Sequence, residues 1–255
     1  MEQLIARPVR FNANEAAVEG WLWCPPTVSG GIVACHGGLD GASERFRAWC
    51  HTLALSGCEV LAFNFPGESP SAGPLDPGGS HVDAVVAAHH FLASQPEMSG
   101  RRIALVGNSV GGLEALLASP RLGSAVPIAL FAAMVSLEQV YSIFLSRQDP
   151  HLADLLANLP GPPETAPAAW AARSALQTDI QGGSFLFLHG LEDTTADPAQ
   201  VWELTKRLTR NGAAVDVCMF AGEGHNLYVS ASARGRLAND VLLRWLGEQW
   251  GKGGE

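Results

Sequence analysis

Ser109 stands in VGNSVGG, Val106 to Gly112, with glycines on both sides at 107 and 111. A serine hydroxyl is a weak nucleophile until a base takes its proton and a third group orients that base. The run therefore asks for a histidine and a carboxylate elsewhere in the chain. Eight histidines compete. His51, His89 and His90 fall inside helical patterns, and His81 and His151 near the starts of others, so packing or surface roles are expected for all five. His36 and His189 each end a strand pattern before a glycine and read as buried, hydrogen-bonded braces of a turn. His225 remains, in AGEGHNLY, a glycine-flanked loop that leaves a ring the exposure a base needs. For the acid, FLFLHGLEDTTAD puts Glu192 and Asp193 just past a strand. Asp193 is preferred because its shorter side chain has less freedom to lose in holding an imidazole, with Glu192, Asp197 and Asp216 as the alternatives. The chemistry this trio would perform is acyl transfer.

Such residues must be positioned by rigid elements. RRIALVGN reads as a buried strand leading straight into Ser109, and VGGLEALLAS as a helix after it that stops before Pro120. A sharp strand-to-helix turn would hold the hydroxyl at the carboxyl edge of a sheet, where the Val110 N–H at the helix start can stabilise an oxyanion. The rest of the chain alternates in the same way. ARPVRF and VEGWLW read as an antiparallel pair, followed by strands in GIVACHGG, CEVLAFNF, AVPIALFAAM, GSFLFLHG and AVDVCMF. Helices are expected in ASERFRAWCHTLALSG, HVDAVVAAHHFLAS, PAQVWELTKRLTRNG and ARGRLANDVLLRWLGEQW. The fold class is α/β, with a mostly parallel central sheet of about eight strands and helices on both faces. From about residue 135 to 180 the pattern changes to amphipathic helix broken by PGPPETAP, a small helical insertion within a single domain spanning 1–255. No internal repeat is present.

Composition narrows the partners. The chain has 255 residues, 47% hydrophobic and 16% charged, with a net charge of −9. That charge disfavours a nucleic-acid backbone or an anionic membrane, both of which call for concentrated Lys and Arg. No apolar run approaches the roughly 18 residues of a membrane span, and the N-terminus lacks a basic segment before an apolar core, so a cytoplasmic location is the expectation. Cys24, Cys35, Cys50, Cys58 and Cys218 show no Cys-x-x-Cys spacing and read as free thiols. No metal or organic cofactor is expected, and the partner is a small-molecule substrate. The VLLRWLGEQW stripe is expected to pack on the sheet, with homo-oligomer formation as its other use.

The order Ser109, Asp193, His225 is the one expected of an α/β-hydrolase. HGG at His36–Gly38, GNSVGG, HGLED and GEGHN occur in the right sequence order, and from about Val9 to Trp250 the chain resembles the α/β-hydrolase superfamily. HGLED followed by GEGHN is most similar to its dienelactone hydrolase and prolyl-oligopeptidase-like branches. The resemblance implies that Asp193 and His225 complete the triad. It further implies that the oxyanion hole pairs the Val110 N–H with that of Gly38, Leu39 being the alternative. Two departures stand out. Dienelactone hydrolases carry cysteine where this chain has Ser109, and Ser69 replaces the second glycine of the stretch after the fourth strand.

The leading expectation is a serine carboxylesterase cleaving a small or medium, uncharged acyl ester through an acyl-enzyme. An exopeptidase-like amide or peptide hydrolase, an acyltransferase or a lyase would use the same triad, and a noncatalytic binder would keep only the fold. Leu39, Tyr141, Phe144 and Leu145 are the candidate pocket residues, with Leu152, Leu155 and Leu156 on the same insertion; packing of the insertion onto the core is the competing use of that stripe. Glu68, Asp40 and Glu192 lie in loops that reach toward the mouth, where each is expected to be a solvated charge.

Overall fold

Short runs of Val, Ile, Leu, Ala and Phe recur along the chain because most strands here are covered on both faces, which removes the alternation that a half-exposed strand shows. The computed structural model describes residue 4 and residues 6–251. Within them β1 (Arg7–Ala13) and β2 (Ala16–Trp23) form a tight antiparallel hairpin, followed by β3 (Gly30–Cys35), α1 (Glu44–Leu55), β4 (Cys58–Phe63) and α2 (Ser80–Ala93). Next come β5 (Ile103–Asn108), α3 (Val110–Leu122) and β6 (Ile128–Phe131). Three short helices, α4 (Leu137–Arg147), α5 (His151–Ala157) and α6 (Pro167–Ala171), precede β7 (Ser184–Gly190), α7 (Pro198–Arg210), β8 (Ala214–Phe220) and α8 (Ala233–Gly251).

The eight strands form one sheet in the order β1-β2-β4-β3-β5-β6-β7-β8, antiparallel at the β1 edge and parallel from β4 onward. Successive residues of each strand feed two separate cores. Val33 and Leu105 join the layer under α2, α3 and α7, while Ile32, Ala34, Ala104 and Val106 face Phe46 and Trp49 of α1 and Leu242 and Trp245 of α8. Small side chains on the second face admit the large aromatics opposite. No helix of the described residues is long and apolar enough to cross a membrane, and no group of three or more metal-ligating side chains is found among them.

One element departs from its expected boundary. α3 does not stop before Pro120 but carries it inside the last turn and ends at Leu122. Proline has no N–H to give the Leu116 carbonyl, and Ser119 supplies the missing donor: its hydroxyl bonds Leu116 O at 2.7 Å. The helix therefore continues for half a turn more.

α3 also buries an acid. Glu114 is fully enclosed, and both its oxygens accept the Gly78 N–H, at 3.0 and 3.1 Å. Burial pushes its pKa up to about 8 against that hydrogen bond, aided by Asp76 and Glu68 nearby. The folded protein thus keeps a proton that the unfolded chain releases near pH 4.5, and stability falls as pH rises through the window between those values. His81 and His89 act oppositely, since burial lowers them to about 3 and about 4, so their effect is complete once the unfolded histidines have titrated near pH 6.5. Between pH 7 and 8 the wild type is expected to lose stability with a net slope somewhat under about 1 kcal/mol per pH unit, because the unfolded histidines still hold part of a proton at the lower value and Glu114 is half-ionised at the upper. Glu114→Gln should flatten that slope. Urea midpoints of both proteins at the two pH values measure it, and equal slopes would show that Glu114 is ionised throughout.

Candidate active site

β5 runs without a break into the turn at Ser109, whose backbone adopts φ 54°, ψ −119° before α3 begins. A side-chain-bearing residue enters that region only when its surroundings hold it there. Here the Ser109 N–H donates to Phe131 O at 3.0 Å, and its carbonyl accepts the N–H groups of Gly112 and Met134, each at 3.0 Å. The flanking glycines are required by proximity. A Cβ on Gly107 would lie 2.6 Å from Gly111 O, and one on Gly111 would lie 2.2 Å from His36 O. The turn is thereby pressed against the end of β3, bringing Gly37 beside Ser109.

The second and third groups arrive from the adjacent parallel strands. The loops after β7 and β8 are laced together, with Leu191 N–H donating to Phe220 O and Glu192 N–H to Glu223 O, both at 3.0 Å. Asp193 and His225 consequently meet at the same sheet edge. The Nδ1 of His225 lies 2.9 Å from Asp193 Oδ2, and its Nε2 lies 2.9 Å from Ser109 Oγ. A carboxylate only accepts, so Nδ1 carries the proton and Nε2 is left with the lone pair that receives the serine hydroxyl.

Asp193 is itself firmly held. Its Oδ1 accepts the N–H groups of Thr195 at 2.8 Å and Ala196 at 2.9 Å. The buried His189 places its Nε2 3.2 Å from Oδ2 and 2.9 Å from Ala196 O. Burial opposes ionisation, but the hydrogen bonds from His189 and His225 and the Ala196 N–H outweigh it and hold the carboxyl well below the usual range. Asp193 is therefore a carboxylate over the whole range in which a histidine changes charge. The alternatives sit elsewhere: Glu192 and Asp197 are exposed. Asp197 caps α7 through Ala199 N–H, and Asp216 accepts from the Trp245 indole at 3.0 Å.

Ser109 and His225 open onto a cavity of about 390 Å³, lined from the β3 loop by Gly37 and Gly38, from the turn by Asn108 and Val110, and from α4 by Val140, Ile143, Phe144 and Arg147. Met134, Thr195, Asn226 and Tyr228 complete the wall. Phe144 is thus in place, whereas the other three expected pocket residues lie elsewhere. Leu39 is buried in the core, Tyr141 stands edge-on to the buried Trp170, and Leu145 is exposed. The α4 residues that face the cavity stand at i, i+3, i+4 and i+7 from Val140, one helical face, which turns Tyr141 and Leu145 away from it. Val140, Ile143 and Arg147 were missed because the direction of that face depends on how α4 docks. Leu155 joins the core instead.

Of the loop charges, Asp40 and Glu192 are exposed as expected, but Glu68 is not solvated. It is buried, with Oε2 accepting the Phe65 N–H at 2.8 Å and lying 2.9 Å from His36 Nε2. The loop after β4 folds back beneath the β3 loop and takes Glu68 with it. His151 at the start of α5 pairs with Asp40 at 2.8 Å, joining the helical segment to the loop that carries Gly38.

The same arrangement of strands occurs in solved structures. The acylaminoacyl peptidase of Pyrococcus horikoshii superposes with a TM-score of 0.76 at 18% identity, over 97% of this chain and 42% of that one. A puromycin-hydrolyzing peptidase of Mycobacterium tuberculosis gives 0.79 at 20% identity, over 97% and 40%. An esterase of Pyrococcus furiosus gives 0.71 at 16% identity, over 99% of this chain and 92% of the esterase. The chain therefore spans about two fifths of the peptidases and nearly all of the esterase. No curated protein matches by sequence. The model of the prolyl oligopeptidase family matches residues 46–253, well over half of the chain. With that match and the eight-stranded sheet, the chain belongs to the prolyl oligopeptidase family of serine hydrolases with the α/β-hydrolase fold.

Proposed function

We propose that the protein hydrolyses a carboxylic ester of small or medium size through an acyl-enzyme on Ser109. The observation that carries this reading is the unbroken chain from Ser109 Oγ to His225 Nε2 and from Nδ1 to Asp193, each contact 2.9 Å, at the floor of an open cavity. His225 Nε2 would take the hydroxyl proton as Oγ attacks the carbonyl carbon, and the Asp193 carboxylate would steady the resulting imidazolium. The N–H groups of Val110 and Gly38, both at the cavity wall, are the proposed oxyanion donors. The imidazolium then protonates the leaving alcohol. Water, losing its proton to the same nitrogen, releases the acid and restores Ser109.

Amide or peptide hydrolysis is the second reading, favoured by the peptidases among the similar folds. The ester reading is favoured by the esterase among the similar folds. Exposure to a fluorophosphonate should add one adduct mass to the intact protein, and 4-nitrophenyl butyrate should turn over at least about a thousandfold faster than butyryl 4-nitroanilide. Comparable rates on the two would move the assignment to amides. No adduct on folded protein would remove the acyl-enzyme.

A further inference from the structure

Arg147 occupies the C-terminal end of the α4 face whose other members, Val140, Ile143 and Phe144, are apolar, so that face grades from hydrocarbon to guanidinium across the cavity. Its Nη2 donates to Thr195 Oγ1 at 2.9 Å. Thr195 in turn gives its N–H to Asp193 Oδ1, so the guanidinium is docked beside the loop that holds the orienting carboxylate. A guanidinium has five N–H donors and no acceptor, and one donor is used here. Among the described residues no carboxylate lies within 4.0 Å of it, and no residue lining the cavity is acidic. In a chain with 25 acidic and 16 basic residues, the one arginine on the cavity wall has no carboxylate partner from its own protein.

We infer that the substrate carries a carboxylate, and that Arg147 grips it while the apolar part of the molecule lies along Val140, Ile143 and Phe144. The inference rests on the acyl-transfer reading of the site. It replaces the expectation of an uncharged acyl group, which followed from an apolar stripe of which Phe144 alone reaches the cavity. The Thr195 bond fixes one Nη and leaves the remaining N–H groups of the planar fork for a two-point grip on a carboxylate. No acidic side chain lines the wall opposite the guanidinium.

The test compares matched pairs that differ by one carboxylate: monomethyl adipate against methyl hexanoate, and 3-carboxy-4-nitrophenyl butyrate against 4-nitrophenyl butyrate. The first pair places the charge on the acyl side and the second on the leaving group. Wild type should favour the charged member of one pair. In Arg147→Met the charged-to-neutral ratio of kcat/KM should fall by about tenfold or more, chiefly through KM, and Arg147→Lys should recover part of it. A ratio equal to wild type in both pairs overturns the inference and leaves Arg147 as a tie between α4 and the Thr195 loop. Failure of the acyl-transfer reading would show differently, as no turnover of any of the four esters. Binding of monomethyl adipate and methyl hexanoate to Ser109→Ala, measured by calorimetry, then decides: tighter binding of the charged ligand that is lost on adding Arg147→Met supports the grip, and equal affinities overturn it.

Discussion

Ser109→Ala is expected to lower kcat/KM for 4-nitrophenyl butyrate by about 10⁵-fold and to abolish the fluorophosphonate adduct, while the protein remains folded. The size follows from what is lost. Without Oγ no acyl-enzyme forms, and the proposed Val110 and Gly38 donors are left to act on a carbonyl attacked only by water. Folding is spared because the hydroxyl makes a single side-chain bond, to His225, and alanine meets the same backbone strain at φ 54° as serine does. Intact mass, ester hydrolysis and a thermal melt on one preparation measure all three effects. Hydrolysis within tenfold of wild type in a folded variant would show that the nucleophile lies elsewhere. Loss of activity together with unfolding would attribute the effect to the turn and not to the chemistry.

The second large effect is structural. Gly111→Ala should destabilise the protein by about 3 kcal/mol and lower its activity at the same time. The added Cβ would stand 2.2 Å from His36 O and 2.3 Å from Cys35 O, and both are backbone atoms at the buried end of β3. Neither can rotate away as a flexible side chain would. Relief requires α3 or the β3 loop to shift, and that shift would separate Ser109 from Gly37 and Gly38. Gly247→Ala, on the exposed face of α8 with open space around it, serves as the control and should be neutral or slightly stabilising. Urea titrations compare the two. A Gly111→Ala protein as stable as the control would mean that the elbow is less tightly packed than these distances show.

The two glycine results would separate close packing from backbone freedom, which sequence alone runs together. Gly111 lies within α3, so its role is not a left-handed backbone but the absence of a side chain. The glycine-rich run was readable as a turn from composition. Which glycine is irreplaceable, and why, follows only from the approach of β3.

Much of the architecture was legible in the residues themselves. Five apolar runs became the central strands β3 to β7 because a strand covered on both faces has to be apolar throughout, β1 and β2 showed the alternation of half-exposed strands, and segments with a helical stripe became helices because each needed one face to bury. The order of Ser109, Asp193 and His225 was legible for a related reason. A parallel sheet delivers all its strand ends to one edge, so residues that follow β5, β7 and β8 in sequence converge in space. What stayed hidden depended on packing between segments remote in sequence. Glu68 reads as a loop charge until the fold places His36 against it, and Pro120 reads as a stop until Ser119 turns its hydroxyl back to Leu116. The cavity wall was the least legible part. A helical period states which residues of α4 share a face, but not which face meets the site. That choice was made by the docking of α4 against Trp170 of α6 and the loop after β7, which turned Tyr141 away and brought Arg147 to the cavity.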